Sequence, residues 1–252
     1  MKTFKHSGAF GDLIYGLPIM KHFGGGDFYL HLNQMDWVGQ YYYGSRPAPF
    51  HQGRLTVQDF ESIRPLLLAQ DYVTGCEILD PKRHEITHNL DRFRQPFVGH
   101  PGNYVDIYSS VFRLSPEDAV KARTTPWLAV EPKVSKPVVI NRTQRWTPPS
   151  PGPEWQQWKA QGLEDRAIFV GSPDEHRAFA SQTGLNIAYQ PTENLLELAQ
   201  YIAGAEEFIG NQSVALSIAI GLGQKFHCEL RRDLPKERNE CWFPDQPGGN
   251  YF

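Results

Sequence analysis

The chain has 252 residues, of which 40% are hydrophobic and 21% charged, a balance typical of a globular protein and not of a disordered one. Its net charge of -3 gives no general attraction to nucleic acid or to anionic membranes. Its three cysteines are far apart and form no CxxC pair, which argues against a disulfide framework or a zinc knuckle. No signal peptide is evident and the longest apolar stretch is too short to span a bilayer, so we expect a soluble, cytoplasmic protein.

The N-terminal segment predicts a β-α-β unit. We expect a buried strand at Thr3–His6, a glycine turn at residues 7–11 and a helix at Asp12–Phe23. Pro18 is expected to kink this helix or to mark its early turn, because proline in a helix interior costs about 3 kcal/mol. Three glycines end the helix, and Phe28–Leu32 follows as a second strand. A β-α-β unit favours a parallel sheet.

The rest of the first half predicts helices separated by irregular segments. Residues 34–55 are rich in turn-forming and aromatic residues, and we expect an irregular loop. Thr56 is predicted to cap a helix in which Phe60, Ile63 and Leu67 recur at helical spacing. The elements predicted in this region are a helix at 56–69, a strand at 73–79, and helices at 103–113 and 116–121.

The second half predicts a doubly wound α/β domain. Residues 126–137 contain several prolines and are the best candidate for a linker. Strands and helices alternate after it, which is typical of a parallel sheet covered by helices. The predicted strands are 138–141, 167–170, 186–189, 207–210 and 225–230, and the predicted helices are 154–161, 174–183, 192–203 and 214–222. We therefore predict two α/β domains, residues 1–131 and 132–252, and allow for the extreme C-terminus to pack back on the first.

Polar or small residues follow the strands of the predicted second domain, at the edge where open parallel sheets bind ligands. Ser213 is predicted to begin a helix, whose free N–H groups and dipole suit a phosphate, although it is also an ordinary helix cap. Arg142 and Arg145 are candidate phosphate contacts, and Glu229 is either a candidate ribose contact or a solvated strand end. The candidate phosphate- or nucleotide-binding residues are Gly11, Arg142, Thr143, Arg145, Gly171, Gly210, Asn211, Gln212, Ser213 and Glu229.

A metal-binding pattern occurs at His84–His88, which matches H-E-x-x-H. On a helix this pattern places two imidazoles on one face for zinc, with Glu85 as the base. The surrounding residues do not form the amphipathic helix that carries the motif, and the extended pattern with a third histidine is missing. A zinc metalloprotease is therefore only a remote alternative. The charged residues at 80–94 predict either a mixed surface face or a contact with an anionic ligand.

Two segments resemble a known family. Gly11–Pro18 resembles the GD-x-x-x-x-x-P opening of the heptosyltransferase-like glycosyltransferases of family 9, and Leu196–Ala199 with Phe208–Ser213 resembles their donor-side signature. The His-Ser-Gly opening, the Asn-Arg-Thr strand end and the Gly-Asn-Gln-Ser turn resemble short phage-type relatives more closely still. The resemblance implies the GT-B architecture, in which two Rossmann-like domains face a cleft with the acceptor on the first and the nucleotide-sugar on the second.

The resemblance also implies a metal-independent, inverting glycosyl transfer that uses no cofactor. Asp12 would accept the proton of the acceptor hydroxyl, although an acid in a first helical turn is also an ordinary cap. Arg142, Ser213 and helix N–H groups would stabilise the leaving diphosphate. The candidate acceptor-side residues are His6, Tyr15, Trp37 and Tyr42, and aromatic loop packing competes with this role for Trp37 and Tyr42.

The implied acceptor is a glycan precursor or a 5-hydroxymethylpyrimidine in phage DNA, and the implied setting is the cytoplasm of a bacterium or a phage-infected host. A nucleotide- or glycan-binding module without turnover is the competing functional class. The sequence predicts no membrane span and indicates no oligomeric state.

Overall fold

The computed structural model of the chain describes residues 1–33, 55–94, 103–233 and 248–252. It divides into two compact units, Met1–Trp127 and Leu128–Phe252, where the sequence analysis places the boundary after residue 131. Nearly all of the predicted loop at 34–55, including Trp37 and Tyr42, lies outside the described residues. None of the helices in the described ranges is long and apolar enough to cross a membrane.

The described residues of the first unit form a four-stranded parallel sheet. Its elements in chain order are β1 (Thr3–His6), α1 (Phe10–His22), β2 (Gly26–Leu30), α2 (Val57–Leu68), β3 (Val73–Ile78), β4 (His88–Asn89), a 3-10 turn (Leu90–Arg94), α3 (Tyr104–Val111) and α4 (Pro116–Thr124). The described strands lie in the order β3-β2-β1-β4, and each neighbouring pair is parallel. The chain thus moves outward from β1 to β3 and then returns to the other side of β1.

The starts of one helix and one strand near the N-terminus differ from the prediction. Helix α1 begins at Phe10, so that Asp12 is its third residue, and it continues through the buried Pro18. Strand β2 begins at Gly26, inside the glycine run. A Cβ on Gly25 would lie 2.2 Å from the carbonyl oxygen of Tyr72, and a Cβ on Gly26 would lie 2.1 Å from that of Lys2. Only glycine permits these close approaches, which a strand propensity does not predict.

Helix α2 confirms the predicted cap. The Thr56 hydroxyl accepts a hydrogen bond from the Asp59 backbone N–H at 3.2 Å, and the Asp59 carboxylate accepts one from the Thr56 backbone N–H at 2.8 Å. This reciprocal arrangement satisfies two N–H groups at the start of the helix. Phe60, Ile63 and Leu67 are buried, as their helical spacing predicts.

In the second unit, the strands of residues 128–233 and 248–252 form a six-stranded parallel sheet. Its elements are β5 (Val138–Asn141), a 3-10 turn (Gln144–Trp146), α5 (Glu154–Ala160), α6 (Leu163–Arg166), β6 (Ala167–Val170), α7 (Pro173–Thr183), β7 (Ala188–Gln190), α8 (Leu195–Ala203), β8 (Glu207–Asn211), α9 (Val214–Gly221), β9 (Phe226–Glu229) and β10 (Gly249–Tyr251). The described strands lie in the order β7-β6-β5-β8-β9-β10. This is the Rossmann order, in which two β-α-β halves run outward from a central pair of strands.

The described C-terminal residues belong to the second unit, whereas the sequence analysis allowed them to pack on the first. Strand β10 pairs in parallel with β9, opposite Phe226–Cys228. Phe252 then packs edge-on against Trp155 and Trp158, with ring centroids 5.7 and 4.9 Å apart. Main-chain pairing and burial of an aromatic ring hold this end of the chain on the second sheet.

Candidate active site

The switch point of the second sheet lies between β5 and β8, which are neighbours at its centre. Asn141 ends β5, and its side-chain amide donates to the carbonyl oxygen of Val170 at 2.8 Å. The Ser213 hydroxyl donates to the side-chain oxygen of Asn141 at 2.9 Å. It also accepts from the Leu216 N–H at the start of α9. Ser213 is thus the N-cap of α9, and Asn141 joins three strand ends at the edge where ligands bind in this fold.

A second amide, Asn211, fixes the loop that follows β5. Its side-chain oxygen accepts from the Thr143 N–H at 2.9 Å and from the Thr143 hydroxyl at 3.2 Å. Its NH₂ group donates to the Thr143 carbonyl oxygen at 2.8 Å. Asn211 is fully buried, and Thr143 is partly buried. The predicted residues at the two central strand ends are therefore brought together and joined by hydrogen bonds.

Two predicted glycines at this edge have packing explanations. A Cβ on Gly210 would lie 2.3 Å from the Asn141 carbonyl oxygen and 2.7 Å from the Phe208 ring, so Gly210 permits the close approach of β5 and β8. Gly171 has a φ of +142°, which side chains rarely adopt. Its carbonyl oxygen accepts from the Tyr189 hydroxyl at 2.9 Å. Both glycines shape the edge, and their backbone role explains them without a ligand.

Arg142 and Glu229 lie close together and bind each other. Glu229 accepts from Arg142 Nε at 2.5 Å and from its Nη2 at 3.2 Å, and it also accepts from Trp155 Nε1 at 2.8 Å. A third guanidinium nitrogen of Arg142 donates to Gln182. The side chains of Arg142 and Glu229 are only 1% and 2% exposed. The predicted roles as diphosphate and ribose contacts do not fit this geometry, because both groups are buried and occupied by a structural ion pair.

Arg145 is the predicted cation at this edge that remains accessible. It is exposed in the 3-10 turn after Thr143, and its guanidinium lies over the Trp146 ring at 5.2 Å. Among the residues that the structure describes, Arg145 forms no ion pair. Gln212, the remaining predicted residue between β8 and α9, is 4% exposed.

In the first unit, Asp12 lies in the first turn of α1, directly after the loop that leaves β1. Asp12 and its neighbour Gly11 are partly buried. The N-cap residue is Ala9, which has no side chain to accept from the first N–H groups of the helix. Position in the first turn places Asp12 at the positive end of the helix dipole, where acidic residues are generally favoured.

A buried relay that the sequence analysis did not detect fixes the turn before Asp12. His6 Nδ1 accepts from the Gly8 N–H at 3.0 Å, so the proton of the neutral ring lies on Nε2, which contacts the Tyr108 hydroxyl at 2.9 Å. Tyr108 donates in turn to the carbonyl oxygen of Asp12 at 2.9 Å. His6 is fully buried. Its predicted role as an acceptor contact therefore does not fit, and it positions the start of α1 instead.

The loop after β1 is also attached to the 3-10 turn. Asp91, which is fully buried, accepts from the backbone N–H of Ser7 at 3.1 Å and from its hydroxyl at 2.9 Å. Lys5 Nζ lies 3.8 Å from the second oxygen of this carboxylate. Of the two interpretations of the charged segment at 80–94, the mixed surface face does not fit Asp91, because its side chain is buried. No local pattern identifies such a residue, because its partners lie 84 positions away.

Tyr15 does not lie on an accessible acceptor surface. It is 2% exposed, and its ring stacks on Tyr104 with centroids 5.4 Å apart. Every residue of α1 from Leu13 to Met20 is buried, so this stretch of the helix has no exposed side on which Tyr15 could lie. Its ring belongs to the contact between α1 and α3, and this burial does not fit the predicted role on the acceptor side.

The H-E-x-x-H motif is not a metal site. Residues 84–87 form no helix, and His88 lies in β4. His84 stacks on Tyr29 at 4.3 Å, whereas His88 stacks on Phe4 at 4.7 Å. Phe4 pairs with Phe28, the residue before Tyr29, so Phe4 and Tyr29 lie on opposite faces of the sheet. The two imidazoles are thus on opposite faces and cannot bind one zinc ion.

The burial of His88 predicts a pH dependence of stability. Burial, and then the charge of Lys2, lower the pKa of His88 below its usual value. The unfolded chain binds a proton at about pH 6.5, while the folded chain resists it, so stability is present above that pH and is lost as the pH falls. We expect wild type to lose more unfolding free energy between about pH 7.5 and 5.5 than His88→Phe does in urea titrations.

The control for this prediction is His22→Gln, at an exposed histidine of the same unit. It should leave the pH dependence as it is in wild type. If His88→Phe and wild type lose the same free energy over this pH range, the lowered pKa of His88 does not contribute to stability.

The fold is shared with two solved glycosyltransferase structures. A family 9 glycosyl transferase from Veillonella parvula superposes with a TM-score of 0.62 at 10% identity, covering 99% of this chain and 84% of that one. The ADP-heptose lps heptosyltransferase II of E. coli superposes with a TM-score of 0.61 at 12% identity, covering 100% of this chain and 90% of that one. No protein-family model matches the sequence, and neither does any curated protein.

These similarities extend over almost the whole chain. They therefore include the folds of both units and are not limited to one motif. Together with the Rossmann strand order of the second sheet, they confirm the predicted α/β fold class with two Rossmann-like units. The chain therefore has the fold of these GT-B glycosyltransferases.

Proposed function

We propose that the protein transfers a sugar from a nucleotide-sugar to an acceptor hydroxyl, with inversion at the anomeric carbon and without a metal or organic cofactor. The observation that carries this proposal is the position of Asp12. It lies in the first turn of α1, at the carboxyl edge of β1, in a turn fixed by His6 and Tyr108. A carboxylate held in this way, in a chain with the fold of glycosyltransferases, suits the role of general base.

In the proposed reaction, a carboxylate oxygen of Asp12 takes the proton of the acceptor hydroxyl. The acceptor oxygen forms a bond to the anomeric carbon from the face opposite the diphosphate. The bond between that carbon and the diphosphate oxygen breaks, and its electron pair leaves with the nucleoside diphosphate. Because the acceptor oxygen attacks on the face opposite the leaving diphosphate, the configuration at the anomeric carbon is inverted.

The second unit is the proposed binding site for the donor. The edge formed by Asn141, Thr143 and Asn211 is the switch point of a Rossmann sheet, where nucleotides bind in this architecture. The N-terminus of α9 at Ser213 offers N–H groups and a favourable dipole to the diphosphate. Arg142 is buried against Glu229. We therefore assign the contact with the diphosphate to Arg145, whose side chain is exposed. These groups would stabilise the charge that develops on the leaving diphosphate.

The name of one structural neighbour contains ADP-heptose, so adenine nucleotides are the first donors to test. For the acceptor we keep the two classes that the sequence resemblance implies, a glycan precursor and a 5-hydroxymethylpyrimidine in phage DNA. We also propose that the protein is related to the short phage-type proteins and that it acts in the cytoplasm.

A thermal-shift panel of nucleotide-sugars and nucleoside diphosphates tests the proposal. A ligand at a hundred times its dissociation constant stabilises the folded protein by about 2.7 kcal/mol, which is readily measured. We expect one base to stabilise the protein both as the diphosphate and as the sugar conjugate, and its conjugate to release nucleoside diphosphate on incubation. If no nucleotide raises the melting temperature, the proposed function is wrong. Stabilisation without any release would indicate a binding module.

A further inference from the structure

A cavity of about 370 Å³ lies in the first unit. Lys5 pairs in register with Tyr29 and with Asn89, and neighbouring strand residues alternate between the faces of a sheet. The cavity therefore opens on the face of the sheet that carries Lys5, opposite the face on which His6 contacts α3. Its lining residues are Lys5, His31, Leu79, Pro81, His84, Ile86 and Asn89.

Two side chains of the lining present oriented N–H donors. The Asn89 amide oxygen accepts from the Asp91 N–H at 3.0 Å. The NH₂ group at the other end of this amide is a hydrogen-bond donor. His84 Nδ1 accepts from the Asp80 N–H at 3.0 Å, so Nε2 carries the proton of the neutral ring. Within the described ranges, neither the Asn89 NH₂ nor the His84 Nε2–H donates to another residue. The carboxylate nearest to His84 Nε2 is that of the exposed Glu77, at 3.8 Å.

The lining also carries a positive charge. Lys5 is only 8% exposed, and its ammonium lies 3.8 Å from the buried carboxylate of Asp91. Burial, and then the charge of Lys5, lower the pKa of His31, whereas the charge of Asp91 raises it. Of the lining residues that the structure describes, none is an aspartate or a glutamate. The polar groups are therefore suited to an anionic, oxygen-rich ligand.

We propose that this cavity binds the phosphate group of a phosphate monoester about the size of a monosaccharide. The amide of Asn89, Nε2 of His84 and the ammonium of Lys5 bind the phosphate oxygens. Leu79, Pro81 and Ile86 provide an apolar wall for the rest of the molecule. The volume is within the range of small-molecule sites and well above that of a phosphate ion alone. The proposal concerns ligand binding in the first unit, and binding is measured without the glycosyl-transfer reaction.

The probe is glucose 6-phosphate, with glucose and inorganic phosphate as comparisons, titrated calorimetrically into the full-length protein. The test variant is Asn89→Asp, which keeps the oxygen that accepts from Asp91 but replaces the NH₂ donor with a negative oxygen. We expect it to raise the dissociation constant for glucose 6-phosphate at least about tenfold. Asn186→Asp, at an exposed position of the second unit, makes the same charge change and should leave the affinity as in wild type.

A second variant protects the test against a folding defect in Asn89→Asp. His84→Phe retains a ring to stack on Tyr29 but removes the Nε2–H donor, and it should weaken binding as well. Shifts of the His31 and His84 imidazole NMR signals on addition of glucose 6-phosphate would support the site. The proposal is overturned if glucose 6-phosphate does not bind, if both variants bind it as wild type does, or if inorganic phosphate binds equally well.

Discussion

Asp12→Asn is expected to reduce the rate of nucleoside diphosphate release by about 10²- to 10⁴-fold, the usual contribution of a general base. Asparagine has almost the shape of aspartate but cannot take the proton of the attacking hydroxyl. The turn that holds residue 12 depends on the backbone carbonyl contact with Tyr108, which the substitution leaves in place. We therefore expect the donor to raise the melting temperature of the variant about as much as it raises that of wild type.

The matched control is Asp71→Asn, which makes the same chemical change at an exposed position of the same unit. This variant should release nucleoside diphosphate at the wild-type rate. Loss of a first-turn charge costs typically 0.3–1 kcal/mol of stability, so both variants should be folded at assay temperature. An unchanged rate in Asp12→Asn would show that this carboxylate is only a helix-capping charge.

Arg142→Met is expected to destabilise the second unit by about 3–5 kcal/mol, because it leaves the buried Glu229 carboxylate without its cation. Trp155 Nε1 alone would then donate to that carboxylate. Replacing both partners, as Arg142→Met with Glu229→Leu, should recover much of this loss, since the remaining groups are apolar. Urea unfolding followed by fluorescence and circular dichroism measures both effects.

The control is Lys133→Met, which breaks an ion pair with Glu197 whose side chains are 43% and 18% exposed. Solvent screening makes that loss much smaller than the loss expected for Arg142→Met. A variant Arg142→Met that keeps its stability but loses affinity for the nucleotide would contradict the structural role. That result would restore the diphosphate contact that the sequence first suggests for Arg142.

Much of the fold is predictable because helices and buried strands have local signals. The Thr56 cap and the spacing of Phe60, Ile63 and Leu67 identify α2, and the apolar runs at β5, β6 and β8 identify the central strands of the second sheet. Strands β4 and β10 have no such signal. They have two and three residues, and they are strands only because a neighbouring strand pairs with them.

The site was less predictable, because side-chain partners depend on tertiary contacts. Arg142 and Glu229 look like ligand contacts at strand ends, but they are 87 positions apart in sequence and pair across the sheet. His6 and Tyr108 are 102 positions apart, and their contact is equally invisible to a local pattern. Asp12, Asn141 and Asn211 lie where the sequence predicts, at strand ends and a helix start, because the order of elements alone determines those positions.

The central claim is that the switch point of the second sheet binds the nucleotide. Titration of ¹⁵N-labelled protein with ADP, UDP, GDP and CDP, followed by amide NMR, tests it most directly. We predict that one diphosphate shifts the amide signals of residues 141–145 and 211–214, and that Arg145→Ala weakens its binding. Saturating binding that shifts only amides far from these two segments, or no binding of any diphosphate, would contradict the account.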